Sequence, residues 1–379
     1  MHFYESSIIT TKDGLFCQVY GNEHPVSSIL VKPKYIPTVD VESSALPYRF
    51  ISGRKMNRLN LWSNKEGLKE YIEKFRKAYP NYILNSPYHE GHEGNRLFFS
   101  IPIEQIERIY FPRKGFQELM SMPKDALDRY LKKVYDFSEI ILKSGLSKKD
   151  IGITYSTLMG HYDAEVSDMN FVIYGKENFW KLMRFLEHHQ HERLRWKSDE
   201  EWLDFRKRRN RMHIFTEEEF LHCMNRKKSE GFFDDTLFVI FAAEKEEETW
   251  FKWGQEKYTS LGLVKMTGTV KTNTSSVVRP GCYELGDSAI IETFGEDRLK
   301  DLPIDRIVFY SRDYCMLAYP DETIEACGIV EEVEPIPEKP IPEKASGRKQ
   351  YRLVVGYLDA YIDGRREKEY IKVIKEKNS

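Results

Sequence analysis

The stretch that most narrows the fold runs from Asp150 to Gly175, D-I-G-I-T-Y-S-T-L-M-G-H-Y-D-A-E-V-S-D-M-N-F-V-I-Y-G. A short apolar-leaning run, Ile151 to Thr154, leads into a small-residue turn with Ser156 and Gly160; after a polar loop a second apolar run begins at Met169. Successive side chains on a strand point to opposite faces, so Asp168 and Asn170 leave one face while Met169 and Phe171 enter a core. The segment predicts a strand, a turn, a short helix and a strand, with two polar side chains presented together at a strand end.

Helical spacing brackets this unit. Leu119, Met120, Leu127, Leu131, Val134, Tyr135, Ile140, Ile141 and Leu142 precede it, and Pro123 divides them into a short helix and a long one, Lys124 to Lys143, stopped at Gly145. Phe179, Trp180, Leu182, Met183, Phe185 and Leu186 follow as the apolar face of another helix. Residues 113–253 therefore read as a central domain with a mixed sheet and helices. Residues 1–112 alternate strand-like and turn-like text, with strands at Gly14–Tyr20, Ser28–Lys34, Leu97–Ile101 and Ile106–Phe111. A helix over Lys65–Ala78 carries Ser63 and Glu66 as a capping box, so this is an N-terminal α+β domain. Residues 254–379 carry short strands between Gly and Pro turns: Gly262–Val270, Cys282–Leu285, Ala289–Thr293, Arg306–Tyr310, Cys315–Ala318, Thr323–Val333 and Arg352–Asp363. That pattern predicts a C-terminal β-barrel or sandwich, and the repeated P-I-P-E-K between Pro335 and Lys344 predicts an extended loop within it. The fold class is α+β, in three parts.

Charge excludes little locally but much globally. Lys plus Arg number 58 against 60 Asp plus Glu, so nucleic acid (RNA or DNA) is expected only at a local basic patch. Arg206 to Arg211 and Arg226 to Lys228 are the basic runs; they read either as solvated helix faces or as cations facing a cleft, and Arg226 and Lys227 lie just before a strand. No apolar window of membrane-spanning length occurs, and Met1 to Thr10 lacks the pattern of a signal peptide, so a cytoplasmic protein with no membrane contact is expected. Five scattered cysteines without a C-x-x-C pair predict reduced thiols. The loop Tyr88–Gly94, with two His and two Glu, reads as a polar loop rather than a metal site, and His188, His189 and His191 point in different directions on a helix end.

Tyr155-Ser156 through Gly160, then Ser167-Asp168-Met169-Asn170, apolar residues and Tyr174-Gly175 resemble a known motif. It is the G-S-x-x-x-G and S-D-I-D pattern of the nucleotidyltransferase superfamily, whose best-known member is DNA polymerase beta. The whole chain resembles an archaeal family of predicted nucleotidyltransferases, with weaker matches at Asp13-Gly14-Leu15, Arg226-Lys227-Lys228 and Leu353 to Gly356. The resemblance implies transfer of a nucleotidyl group from an NTP to an acceptor. It implies Mg²⁺ or Mn²⁺ at Asp168 and Asn170, and NTP phosphates at Ser156, Gly160, Ser167, Arg226 and Lys227. The chemistry needs those types: two cations about 3.5–4 Å apart stabilise the entering and leaving oxygens, and hard cations take carboxylate oxygens. Two departures stand out. Tyr155 occupies the position of the motif's Gly, and Asn170 that of its second Asp, which removes one formal charge from the metal shell. A third carboxylate would come from Asp234, Asp235 or Glu244 around the strand Thr236–Phe241. The alternative expectation is a catalytically weak or inactive nucleotide- or nucleic-acid-binding protein of the same fold.

Overall fold

The computed structural model describes residues 2–37, 48–51, 53–58, 68–90, 96–209, 212–295, 297–336, 349–357 and 364–374. These form a mixed α and β architecture built on three sheets. The first sheet uses β1 (Ile8–Thr11), β2 (Phe16–Val19), β3 (Ser28–Pro37), β4 (Tyr48–Ile51), β5 (Arg54–Arg58), β6 (Ile83–Asn85), β8 (Leu97–Pro102) and β9 (Ile106–Tyr110). Its order is β4-β5-β3-β2-β1-β9, with β8 on the first residues of β3 and β6 beside β8. Helix α1 (Leu68–Ala78) closes one face through Ile72 and Phe75. The proposed cap at Ser63 and Glu66 lies outside the described residues, as do Gly91–Gly94 of the His/Glu loop. The strand β7 (His89–Glu90) leaves this sheet and pairs in parallel with the third one.

The central sheet is where the chain's most legible segment lies. It has the order β10-β11-β14-β13-β12, from β10 (Ile151–Ile153), β11 (Met169–Tyr174), β12 (Leu194–Trp196), β13 (Glu230–Phe233) and β14 (Thr236–Ala243). β10 runs antiparallel to β11, and β11 parallel to β14. Alternation works as the sequence predicts: Met169, Phe171 and Ile173 of β11 and Phe238, Ile240 and Ala242 of β14 share one core. That core is covered by α2 (Pro112–Ser121), α3 (Arg129–Lys143) and α5 (Lys176–His188). The long helix begins later than its periodicity suggests. Lys124–Ala126 is a single 3₁₀ turn, and Asp128 starts α3 by accepting the Leu131 amide at 2.8 Å. Phe137 sits at the centre of this layer among the rings of Phe171, Phe233 and Phe238.

β10 packs directly on the first turn of α2, and a glycine makes that approach possible. A Cβ on Gly152 would stand 2.6 Å from Pro112 Cβ and 2.9 Å from its carbonyl carbon. Gly152→Ala is accordingly expected to lower stability by about 1–3 kcal/mol through overpacking. Thermal melting checks it, and an unchanged midpoint would show that α2 can give way.

The third sheet contains β15 (Glu256–Thr272), β16 (Gly281–Thr293), β17 (Ile304–Phe309), β18 (Thr323–Pro335), β19 (Gln350–Val355) and β20 (Tyr370–Val373). β15 pairs with both β16 and β18, β16 with β17, β17 in parallel with β19, and β19 with β18. These pairings return to their start, so five strands form a closed ring. Of the two forms left open by the sequence, the ring is the barrel. Its core also takes Trp202 of α6 (Asp199–Arg209) and Phe220 of α7 (Glu217–Asn225), both supplied by the middle of the chain. One expected strand is absent: Cys315–Ala318 is apolar because it plugs a barrel end, with Leu317 and Ala318 fully buried. Met316 there has φ +54°, and the amides of Leu317 and Ala318 donate to the Tyr283 hydroxyl at 2.8 and 3.3 Å instead of to a ladder. The repeat at 337–344 lies outside the described residues.

All five cysteines are free thiols. Among the described residues, no helix is long and apolar enough to cross a membrane.

Candidate functional site

The turn after β10 places a non-glycine residue at a positive φ. Tyr155 opens the short helix α4 (Tyr155–Met159) at φ +55°, in the left-handed region that a Gly adopts without cost. Holding a Tyr in that region costs about 1–2 kcal/mol. The ring turns away from the turn itself. Its hydroxyl donates to Gln18 Oε1 at 2.9 Å, Phe241 meets it edge to face at 5.8 Å, and Lys34 Nζ lies 3.8 Å from its centroid. Thr154 reinforces the same junction by donating its hydroxyl to Ser6 O at 2.7 Å. The first sheet therefore covers the face of the central sheet that carries Asn170.

The predicted polar residues come together only in part. Asp168 is partly exposed at the start of β11, and Asn170 beside it is 4% exposed. Asn170 Nδ2 donates to the Asp168 carbonyl at 3.2 Å, and its own carbonyl accepts the Thr154 amide at 3.0 Å. Gly160 ends α4 at φ +72°, and its amide, like that of His161, is taken by Ser156 O. Ser167 Oγ accepts the Asp163 amide at 2.9 Å, which closes the polar loop on itself.

The third-acid candidates lie elsewhere. Asp234 is gripped by Arg193 through two bonds of 2.9 Å, and Asp235 pairs with Lys133 at 2.5 Å, along a groove of about 650 Å³. Glu244 follows the far end of β14, where Tyr174 pairs with Ala243. At ~3.3 Å per residue this is roughly 20 Å from Asp168 along the strand. It is 4% exposed and bound to Lys176 at 3.0 Å, and burial pushes its carboxyl up to about 7. Opposite Asn170 on β14 stands Val239. Among the described residues no group of three His, Cys, Asp or Glu side chains can hold a metal ion. That donor set, one strand-end carboxylate beside an amide already used by backbone, does not fit a two-metal centre.

The two predicted cations face the barrel instead. Arg226 is held by Glu322 and donates to Leu317 O at 2.7 Å. Lys227, 7% exposed, donates to Asp313 O at 2.7 Å and so anchors the turn that bears Arg312. In the other basic run Arg206 donates to Phe215 O, while the side chains from Arg208 onward lie outside the described residues. His189 stacks on Phe185 at 4.6 Å.

What surrounds Tyr155 and Asp168 is a set of cations that no motif announces. Lys34 comes from β3 and Arg58 from the end of β5, where it pairs in register with Tyr35. Arg279 comes from the β15–β16 connection and Arg312 from the turn after β17. Glu5 Oε1 touches Arg279 Nη2 at 2.7 Å and Arg312 Nη2 at 3.3 Å, and Arg312 lies 3.5 Å over the Phe241 ring. Arg279 is 7% exposed, and among the described residues its Nε has no hydrogen-bond partner. The electrostatics register the crowding. Burial, then Arg58, Arg279 and Arg312, bring the Lys34 amine down to about 7 against the opposing pull of Asp168. Burial and Arg279 bring Arg312 down to about 10. Beside these cations, at the other end of α4, the rings of Phe16, Tyr35 and His161 meet edge to face at 5.7–6.5 Å, all partly exposed. Chemically, the arrangement is a group of buried and half-buried cations flanked by aromatic rings.

Comparison with known proteins adds one relative. The chain is 27% identical over 370 residues to an uncharacterized protein of the archaeon Methanocaldococcus jannaschii, covering 96% of this chain and 97% of the relative. No protein-family model matches, and no solved structure matches.

Proposed function

We propose that the cation-rich junction around Tyr155 binds the phosphate groups of a nucleotide, and that the chain is a nucleotide-binding member of the fold its central segment resembles. The observation that carries this reading is the convergence of Lys34, Arg58, Arg279 and Arg312 on the turn at Tyr155, with Glu5 and Asp168 as the acids among them. Three guanidiniums and the partly protonated Lys34 amine against two carboxylates leave a positive surplus in a partly dehydrated place, where its field is stronger than in water. Guanidinium forks match phosphate oxygens. The Phe16, Tyr35 and His161 rings offer a base the stacking surface that a bare phosphate does not need.

Calorimetric titration with ATP, GTP, CTP and UTP, with and without Mg²⁺, tests the reading. Binding without added Mg²⁺ is expected, and Arg312→Gln is expected to weaken it about ten- to a hundredfold, the ~1.5–3 kcal/mol of a charge-assisted hydrogen bond. Absence of binding at millimolar nucleotide, or full binding by a folded Arg312→Gln variant, would overturn it. Nucleotidyl transfer is the second reading, favoured by the carboxylate of Asp168 beside the left-handed turn. Triphosphate turnover lost in Asp168→Ala would support it over binding alone.

A further inference from the structure

We propose that Lys34 is a nucleophilic amine, poised at the junction beside Tyr155 to form an imine with an aldehyde or ketone, and most readily with one that bears a phosphate. The inference uses the same cleft as the nucleotide reading but does not depend on nucleotide recognition. Lys34 is partly accessible, and its Nζ rests 3.8 Å over the Tyr155 ring. Among the described residues its amine has neither a carboxylate within ion-pair distance nor a hydrogen-bond acceptor. The Tyr155 hydroxyl is committed to Gln18.

Four charged groups act on the amine, from four different elements. Arg58 faces it from β5, Arg279 and Arg312 from two barrel connections, and Asp168 from the start of β11. Dehydration and three like charges favour the neutral amine, against the pull of Asp168 and of the Tyr155 ring face on the ammonium. This is the setting in which a lysine becomes a nucleophile near neutral pH. The amine's fall to about 7 agrees with that geometry. A paired surface lysine such as Lys349, held by Glu332 at 2.9 Å, moves the other way.

The step balances without a co-reactant. The Nζ lone pair adds to the carbonyl carbon, the two protons the neutral amine loses pass in turn to the carbonyl oxygen, and that oxygen departs as water, leaving a C=N bond. The neighbouring guanidiniums then hold the ligand's anionic arm.

The test uses the full chain, treated with substoichiometric pyridoxal 5′-phosphate across roughly pH 6 to 9, reduced with borohydride and mapped by mass spectrometry. Pyridoxal without its phosphate forms a parallel arm. One dominant adduct at Lys34 is expected, with a reaction midpoint near the amine's value of about 7, and with the phosphate reagent about tenfold faster. Lys34→Arg, which keeps the positive charge and whose fold is checked by its melting temperature, is expected to lose that adduct. Label spread over the surface lysines, or an adduct pattern unchanged in Lys34→Arg, would overturn the proposal. Equal rates for the two reagents at Lys34 would keep the amine and remove the anion site, and with it the nucleotide reading. Protection by ATP would support both.

Discussion

Glu331→Gln is expected to destabilise the fold by about 3–5 kcal/mol, because one carboxylate neutralises two buried guanidiniums. Glu331 on β18 is 1% exposed, Arg352 on β19 is fully buried, and Arg96, just before β8, is 6% exposed. Arg96 Nη2 reaches Oε1 at 2.6 Å, while Arg352 Nη2 and Nε reach Oε2 at 2.8 and 2.9 Å. The triad therefore joins the first sheet to the barrel. Rings line it: Arg352 lies 3.5 Å over Tyr258, Arg96 lies 4.6 Å over Tyr357, and His89 stacks on Tyr258. Burial alone would raise the Glu331 carboxyl, but Arg96 and Arg352 outweigh it and hold the group near 2, against an ordinary 4.5. Its stabilisation is thus complete above about pH 4.5 and is lost as pH falls towards 2. His89 acts earlier. Burial and Arg96 keep it neutral in the fold, while the unfolded chain protonates its histidine below about 6.5, so stability begins to fall there. Urea unfolding at neutral pH measures the substitution, and a loss under ~1 kcal/mol would show that the guanidiniums do not need the carboxylate. Replacing all three members by Met, Leu and Met is expected to recover most of the loss, since the desolvation cost leaves with the charges.

The central segment was legible because its information is local. The period of two in Met169–Tyr174 and the wider period of Arg129–Lys143 each specify a face, and those faces meet in one core. The barrel strands were legible as strands but not as a ring, because closure depends on the β15–β18 pairing between segments more than 50 residues apart. Cys315–Ala318 misled for a related reason: full burial writes the same apolar text whether a segment joins a ladder or plugs an end.

The cleft was illegible altogether. Lys34 reads as an ordinary strand cation, Arg279 as a residue before a proline, and Arg312 as part of a polar turn. Only the packing of two flanking units on Tyr155 gives them a common address. Arg226 and Lys227, by contrast, stood next to a strand in sequence and were claimed by Glu322 and the Asp313 carbonyl in space.

Glu5→Gln should separate stability from anion binding in the same molecule, moving the two in opposite directions. Glu5 is 4% exposed just before β1; its Oε2 accepts the Gly21 amide at 2.9 Å while Oε1 serves both Arg279 and Arg312. Glutamine fills the same space and can keep the bond to Gly21, but it removes the charge that compensates a guanidinium only 7% exposed. A loss on the order of 3 kcal/mol follows from leaving that cation unpaired. The same change leaves Asp168 as the acid facing three guanidiniums and the Lys34 amine, so the attraction for phosphate rises. An affinity gain of about tenfold corresponds to ~1.4 kcal/mol, a modest share of the charge removed. Because a ligand that binds the folded state stabilises it by RT ln(1 + [L]/Kd), the variant should melt lower without ligand. Its melting temperature should also begin to climb at a lower phosphate or ATP concentration than that of the parent. Melting curves across a ligand series read both effects at once. If Glu5→Gln weakens binding instead, the carboxylate's work of aiming Arg279 and Arg312 outweighs its opposition to the anion, and surplus charge is not what makes the cleft a phosphate site.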